Sequence, residues 1–325
     1  MTRHLGQGLL LAITVLFTRS LSAQTSSLPA DNCSRRTVVV TVSDQNGPVM
    51  NLDKSNFLLE SKSLTLNVVA ARVRRPAPRA IVVLDLSGSM REPGKLPAIS
   101  SLARGFLDAA PSRAPLALLT FADRVKDRLD FSGPREAIVH RLEEISREPD
   151  QTHGGMTALF DALNEAIPMF GVPQTGDVIF LISDGGDNRS HTHARKIRRL
   201  LLEHGIRLFS FIPFEMAFPM EDVELGLESL VSLSHIAGGR SMTLEELSRG
   251  GGWDNSPEAL ARDREMGKYM YVLAASSYEL DVELDRVIQK SPLKLKIVGP
   301  EGKELHNVQS LYPHELMPCL QLEHR

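Results

Sequence analysis

A continuous apolar run ends in a polar loop at Ala80–Met90, which reads AIVVLDLSGSM. Apolar residues in an unbroken row are typical of a strand that is buried on both faces of a sheet. The loop after them carries one carboxylate and two hydroxyls, on Asp85, Ser87 and Ser89. The stretch therefore predicts a central strand with polar side chains at its carboxyl end.

Strand-like and helical segments alternate after this strand. Apolar strands are predicted at 116–121, 178–182 and 208–212, and helical periodicity occupies 99–110, 135–145, 158–170 and 195–204. Because crossovers between parallel strands are right-handed, this alternation predicts an α/β fold with a doubly wound, mostly parallel sheet. Ligands of such folds bind at the carboxyl ends of the strands.

Two further polar loops are expected at the same edge of the sheet. Ser-Asp-Gly-Gly follows a strand at 183–186, and a glycine-rich loop ends at Thr157. Together the loops offer two carboxylates and three hydroxyls, on Asp85, Ser87, Ser89, Thr157 and Asp184. Oxygen donors alone suit a hard cation such as Mg²⁺, whereas zinc prefers nitrogen or sulfur. Taken singly, the aspartates could be ordinary strand-end residues, the serines turn residues and Thr157 a helix cap.

Three motifs resemble the metal-ion-dependent adhesion site of von Willebrand factor type A domains. They are VVLDLSGSM, GGMTALFDAL and VIFLISDGGDN, and LALLTFADRV is similar to that family's second strand. The resemblance predicts a domain at 79–249, and the five oxygen-bearing residues match the family's metal ligands one by one. It implies that Mg²⁺, or else Mn²⁺ or Ca²⁺, is bound and that an Asp or Glu side chain of a partner protein completes its coordination. More loosely, the whole chain resembles the exported von Willebrand factor A-related proteins of acidobacterial type.

Segments rich in β propensity flank this domain on both sides. Residues 34–76 contain strand candidates at 36–44, 57–60 and 64–73, and residues 266–319 contain candidates at 269–274, 279–284, 293–298 and 304–311. Either group is small for an independent sheet, so together they predict one all-β, immunoglobulin-like sandwich into which the α/β domain is inserted. Two separate small β elements that flank the α/β domain are the alternative.

The first 23 residues have the order of a secretory signal peptide. Arg3 and His4 precede an apolar run at 9–17, and small, polar residues lead to a cleavage site that we place after Ala23. An uncleaved N-terminal anchor is the alternative. No later segment approaches the roughly 20 apolar residues of a transmembrane helix. We therefore expect an exported protein that is periplasmic, secreted or at the cell surface.

The chain has two cysteines, Cys33 and Cys319. If the protein is exported, both lie in an oxidising compartment, and a disulfide between them would tie together the two ends of the mature chain. Two unpaired thiols are the alternative.

The composition excludes several classes of protein. Hydrophobic residues make up 42% of the 325 residues and charged residues 24%, which excludes a disordered, collagen-like or coiled-coil chain. Lys and Arg number 37 against 40 Asp and Glu, so no basic excess favours a nucleic-acid partner.

A metal-dependent hydrolase is the main alternative function. Ser87 or Ser89 could act as a nucleophile with His153 as its base, but neither serine lies in a Gly-x-Ser-x-Gly elbow. A phosphatase of the Asp-x-Asp type would need a second carboxylate where Ser87 stands. A scaffold or assembly subunit of an envelope complex is a further alternative. We expect a protein-binding or adhesion module that is not an enzyme.

Overall fold

The computed structural model describes residues 35–62, 64–150, 155–213, 221–243, 253–284 and 290–317. The predicted signal peptide at 1–23, both cysteines of the predicted disulfide and His153 lie outside these residues. None of the helices in the part of the chain that the structure describes has the length and apolarity that crossing a membrane requires.

The strands and helices follow one another along the chain with short connections. The strands are β1 (Arg35–Asp44), β2 (Gly47–Pro48), β3 (Phe57–Ser61), β4 (Leu64–Val73), β5 (Ala80–Asp85), β6 (Leu116–Phe121), β7 (Val125–Leu129), β8 (Val178–Ile182), β9 (Arg207–Ile212), β10 (Ser241–Thr243), β11 (Tyr278–Glu283), β12 (Ser291–Ile297), β13 (Gln309–Leu311) and β14 (Glu315–Leu316). The helices are α1 (Lys95–Ala109), α2 (Arg135–Ile145), α3 (Leu159–Ala166), α4 (Ala194–His204), α5 (Glu221–Ile236) and α6 (Pro257–Ala275).

The sheet of the α/β domain contains six strands among the described residues, in the order β10-β9-β8-β5-β6-β7. Strand β7 runs antiparallel to β6, and all the other neighbours are parallel. The chain passes from β5 to β6 on one side and later returns to β8 on the other side of β5. This order agrees with the predicted doubly wound, mostly parallel sheet. It also makes the carboxyl ends of β5 and β8 neighbours, where such folds form a ligand-binding crevice.

Alternate residues of the central strands pack into two apolar layers. Val82 and Leu84 of β5 belong to the layer that includes α1, α2 and α6, whereas Ile81 and Val83 belong to the layer that includes α3, α4 and α5. All four side chains are fully buried. Burial on both faces explains why β5 reads as an unbroken apolar run.

The strands before and after the α/β domain pair directly with one another. Strand β11 lies between β1 and β4, and β12 pairs with β3, in each case antiparallel. Val38, Leu280 and Leu295 of these strands share one apolar core. Seven of the strands follow one path, β13-β1-β11-β4-β3-β12-β14, and β2 pairs with β1 off this path. This order does not confirm the predicted immunoglobulin-like sandwich. The domain boundaries 34–76, 79–249 and 266–319 stay predictions.

The predicted strand at 269–274 is wrong, because these residues belong to α6. This helix begins after Ser256, whose hydroxyl accepts a hydrogen bond from the Ala259 nitrogen at 3.2 Å, and it has proline at its first position. Its apolar side packs against α1, where the ring of Tyr271 meets the ring of Phe106 edge-on at 5.2 Å. Packing against α1 thus overrides the β propensity of the aromatic and β-branched residues.

Candidate metal centre

Asp85 is the last residue of β5, and its carboxylate is fully buried. Its Oδ1 accepts a hydrogen bond from the Ser87 nitrogen at 2.8 Å, and its Oδ2 accepts one from the Ser183 hydroxyl at 2.7 Å. Burial, and then the negative charge of Asp184, raise the pKa of Asp85 to about 7, while the two hydrogen bonds oppose that rise. Within the described residues, neither aspartate forms an ion pair. The two carboxylates are therefore a protected pair of like charges that a cation would stabilise.

The loop after β5 brings two hydroxyls together. The Oγ atoms of Ser87 and Ser89 lie 3.4 Å apart, with Ser87 buried and Ser89 exposed. Lys95 at the start of α1 donates a hydrogen bond from Nζ to the Ser89 carbonyl at 2.9 Å. The same ammonium group pairs with Glu92 at 2.7 Å. Lys95 therefore fixes the end of the loop that carries Ser89.

A glycine lets the loop that carries Thr157 approach this first loop. A β-carbon at Gly155 would lie 3.0 Å from the Gly88 nitrogen, which is tighter than ordinary van der Waals contact. Thr157 is only 4% exposed, and its hydroxyl makes no hydrogen bond to any described residue. Ala158 is the N-cap of α3 and supplies no side-chain cap. The alternative that Thr157 serves as the cap of α3 is therefore wrong.

Asp184 follows β8 and is 5% exposed. Its Oδ1 accepts a hydrogen bond from the Gly186 nitrogen at 3.2 Å, whereas its Oδ2 has no donor among the described residues. The unpartnered oxygens of Thr157 and Asp184, beside the buried Asp85, fit an oxygen-binding cation.

The structure places the five predicted residues on three adjacent loops at the carboxyl edge of the sheet, and their role as metal ligands stays a prediction. Within the described part of the chain there is no group of three or more His, Cys, Asp or Glu side chains that could hold a metal. The set instead consists mostly of hydroxyls.

Several residues that support this edge of the sheet were not predicted from the sequence. They are Ser183, which donates to Asp85; Lys95; Asn188, whose side chain accepts a hydrogen bond from the Thr157 nitrogen; and Asp187, whose side chain accepts one from the first residue of α3. The signal that could have found the last two is the run of polar residues directly after the Ser-Asp-Gly-Gly motif.

Residues 80–186 match the family model of the von Willebrand factor type A domain. No curated protein matches the sequence. A solved structure of a von Willebrand factor type A protein from Catenulispora acidiphila is 12% identical, covers 88% of this chain and 75% of its own, and has a TM-score of 0.46. The conserved hypothetical protein BatB from Bacteroides thetaiotaomicron is 21% identical, with coverages of 59% and 98% and a TM-score of 0.39.

Proximal thread matrix protein 1 from the mussel byssus, solved with a zinc-occupied MIDAS motif, is 18% identical. It covers 66% of this chain and 50% of its own, with a TM-score of 0.44. These structural similarities are too distant to transfer a ligand or a partner. The family match, which includes the first two motifs, the third as far as Gly186 and strands β5 to β8, identifies residues 80–186 as part of a von Willebrand factor type A domain.

Proposed function

We propose that this chain binds a partner protein through a divalent cation. The cation is Mg²⁺, with Mn²⁺ or Ca²⁺ as substitutes, and its ligands are Asp85, Ser87, Ser89, Thr157 and Asp184. The observation that supports this most is the buried pair of Asp85 and Asp184. Among the described residues this pair has no counter-charge, and the Thr157 hydroxyl and Asp184 Oδ2 have no hydrogen-bond partner. Like charges in a buried place are costly unless a cation or a proton compensates them.

The chemistry of the ligand set leaves a place for the partner. Three of the five ligands are neutral hydroxyls, so a bound cation keeps positive charge and can accept a further oxygen. In this proposal an Asp or Glu side chain of the partner supplies that oxygen. A single charged contact near solvent contributes little, so a wider interface must surround it. Met156, which is 53% exposed beside Thr157, offers an apolar contact at the rim.

The first test is cation binding by purified variants. Asp85→Ala and Asp184→Ala should abolish Mg²⁺ binding in calorimetry, because each removes one of the two charged ligands, while the far-ultraviolet circular dichroism stays unchanged. Asp123→Ala is the matched control, since Asp123 is a surface carboxylate that pairs with Lys126. An Mg²⁺ affinity that is the same in the Asp85 and Asp184 variants as in the wild type would contradict the proposal.

The partner is sought by capture from envelope extracts in the presence of Mg²⁺, followed by mass spectrometry. A partner that is bound through the cation should be released by a chelator and should not bind to Asp184→Ala. Capture that survives the chelator would place the binding surface elsewhere on the molecule.

We also propose that the protein works outside the cytoplasm and binds without catalysis. Support for export is the order of residues 1–23, and envelope fractionation tests it. Support for binding without catalysis is the absence of a nucleophile elbow around Ser87 and Ser89 in the sequence. Turnover of generic ester or phosphate substrates that requires Mg²⁺ and is lost in Asp85→Ala would show a hydrolase instead.

A further inference from the structure

Helix α3 follows Thr157, and its N-cap residue, Ala158, provides no side chain that accepts a hydrogen bond from the first turn. The first amide groups of a helix lack partners within the helix and need acceptors from elsewhere. Here the acceptors come from the loop after β8. Asp187 Oδ1 accepts a hydrogen bond from the Leu159 nitrogen at 3.1 Å, and Ser190 Oγ accepts one from the Asp161 nitrogen at 3.0 Å.

Helix α3 in turn accepts hydrogen bonds from the same loop. The carboxylate of Asp161 accepts from the His191 nitrogen at 2.9 Å and from the Thr192 nitrogen at 2.8 Å. The loop after β8 and the start of α3 are therefore joined in both directions.

Asn188 extends this connection to Thr157 itself. Its side-chain Oδ1 accepts a hydrogen bond from the Thr157 nitrogen at 2.9 Å, and its own backbone nitrogen donates to the Thr157 carbonyl at 3.1 Å. The Arg189 nitrogen donates to the same carbonyl at 3.0 Å. The backbone of Thr157 is thus fixed on both sides of its side chain, and χ1 of a β-branched residue has few alternatives. The position of the hydroxyl follows from the position of Asn188.

We propose that Asn188 is a positioning residue for the cation. It fixes Thr157 relative to Asp184, which lies on the same loop as Asn188, and thereby favours the binding of Mg²⁺ over that of Ca²⁺. This inference rests on the proposed function and adds to it a preference of the site for Mg²⁺ over Ca²⁺. Mg²⁺ requires near-ideal octahedral geometry at about 2.0–2.1 Å, whereas Ca²⁺ accepts flexible geometry at about 2.3–2.6 Å. Loss of the fixed Thr157 hydroxyl should therefore weaken Mg²⁺ binding more than Ca²⁺ binding.

The experiment is calorimetric titration of the full chain with Mg²⁺ and with Ca²⁺. Asn188→Ala should lower the Mg²⁺ affinity about tenfold, as residues that orient metal ligands typically do, and should lower the ratio of Mg²⁺ to Ca²⁺ affinity. Asn188→Asp keeps the acceptor oxygen and should keep that ratio. Arg189→Lys is the matched control, since it retains the charge and the backbone donor, and it should behave as the wild type.

A double-mutant cycle separates positioning from a general structural effect. If Asn188 acts through Thr157, adding Asn188→Ala to Thr157→Ala should weaken Mg²⁺ binding no further. Additive losses, or an Asn188→Ala protein with wild-type affinities, would overturn the inference and leave the proposed function standing. A wild type that binds neither cation would overturn both. If Asn188→Ala does not fold, Asn188→Ser takes its place with an expected smaller loss, and an unchanged affinity ratio in that variant would also overturn the inference.

Discussion

We expect Asp85 to destabilise the fold in the absence of a cation, because its carboxylate is fully buried beside Asp184. Asp85→Asn keeps the size of the side chain and an acceptor oxygen for the Ser87 nitrogen but removes the charge. In chelator, we expect the free energy of unfolding of this variant to exceed that of the wild type by about 1–4 kcal/mol. Mg²⁺ should stabilise the wild type by mass action and leave the variant unchanged. Urea unfolding with chelator and with Mg²⁺ measures both effects.

Asp123→Asn provides the comparison for this prediction, since Asp123 is partly exposed and already paired. It should respond to Mg²⁺ as the wild type does. If Mg²⁺ stabilised Asp85→Asn as much as the wild type, the buried carboxylate would have no part in cation binding.

Single residues at the site divide into those that local sequence reveals and those that it does not. Asp85, Ser87 and Asp184 could be located because each stands next to an apolar run that predicts a strand end. The supporting roles of Ser183 and Asn188 could not be predicted from the sequence, because they depend on which loops lie next to each other in the folded protein. Ser183 is 98 positions from Asp85, and Asn188 is 31 positions from Thr157.

Helices α1 and α6 approach each other so closely that each carries a glycine at the contact. A β-carbon at Gly267 would overlap the Leu102 carbonyl, and one at Gly105 would overlap the Arg264 carbonyl. Gly267→Ala should therefore lower the free energy of unfolding by at least about 2 kcal/mol. This loss should appear although alanine favours a helix over glycine by about 1 kcal/mol. Thermal or urea unfolding measures the change.

Gly133→Ala is the control for this substitution, because the nearest atom to its β-carbon would be 3.6 Å away. It should change the stability little. A Gly267→Ala protein as stable as the wild type would show that α6 does not pack on α1 in this register.

At the level of elements, apolar runs and periodicity predicted the boundaries of β4, β6, β8 and α2 correctly. Helix α6 was mistaken for a strand at 269–274 because the residues there have high β propensity. The Ser-Pro pair at 256–257 is the local signal for a helix start, but the apolar side of α6 becomes evident only against α1. Packing against α1, and not the local sequence of residues 269–274 alone, determines that this segment is helical.

Across the whole molecule, Arg207 links strands of the two sheets through a side chain that is almost fully buried. It donates hydrogen bonds to the Gly238 carbonyl at 2.9 Å, the Ala274 carbonyl at 3.2 Å and the Thr41 hydroxyl at 3.0 Å. Burial lowers its pKa to about 9. The sequence predicted that the flanking β segments belong together, but it could not reveal a link between residues 166 positions apart.

The contact between the C-terminal segment and the end of α5 should make stability depend on pH. The centroid of the His314 ring lies 3.9 Å from that of the His235 ring and 4.4 Å from that of the Tyr312 ring. The backbone nitrogen of His314 donates a hydrogen bond to the Ile236 carbonyl at 3.0 Å. Burial, and then the charge of His235, lower the pKa of His314 from 6.5 to about 4. Between these two values the unfolded chain binds a proton that the folded chain does not bind. The contribution of the neutral His314 to the free energy of unfolding is therefore complete above pH 6.5 and is lost as the pH falls towards about 4.

His314→Phe keeps a ring that can stack on its neighbours and removes this titration. We expect the free energy of unfolding of the wild type to fall more steeply than that of His314→Phe between pH 6.5 and about 4, as measured by urea unfolding at a series of pH values. His306→Gln removes an exposed histidine and should follow the wild-type profile. Parallel profiles for the wild type and His314→Phe would mean that this histidine contact does not govern the acid sensitivity of the fold.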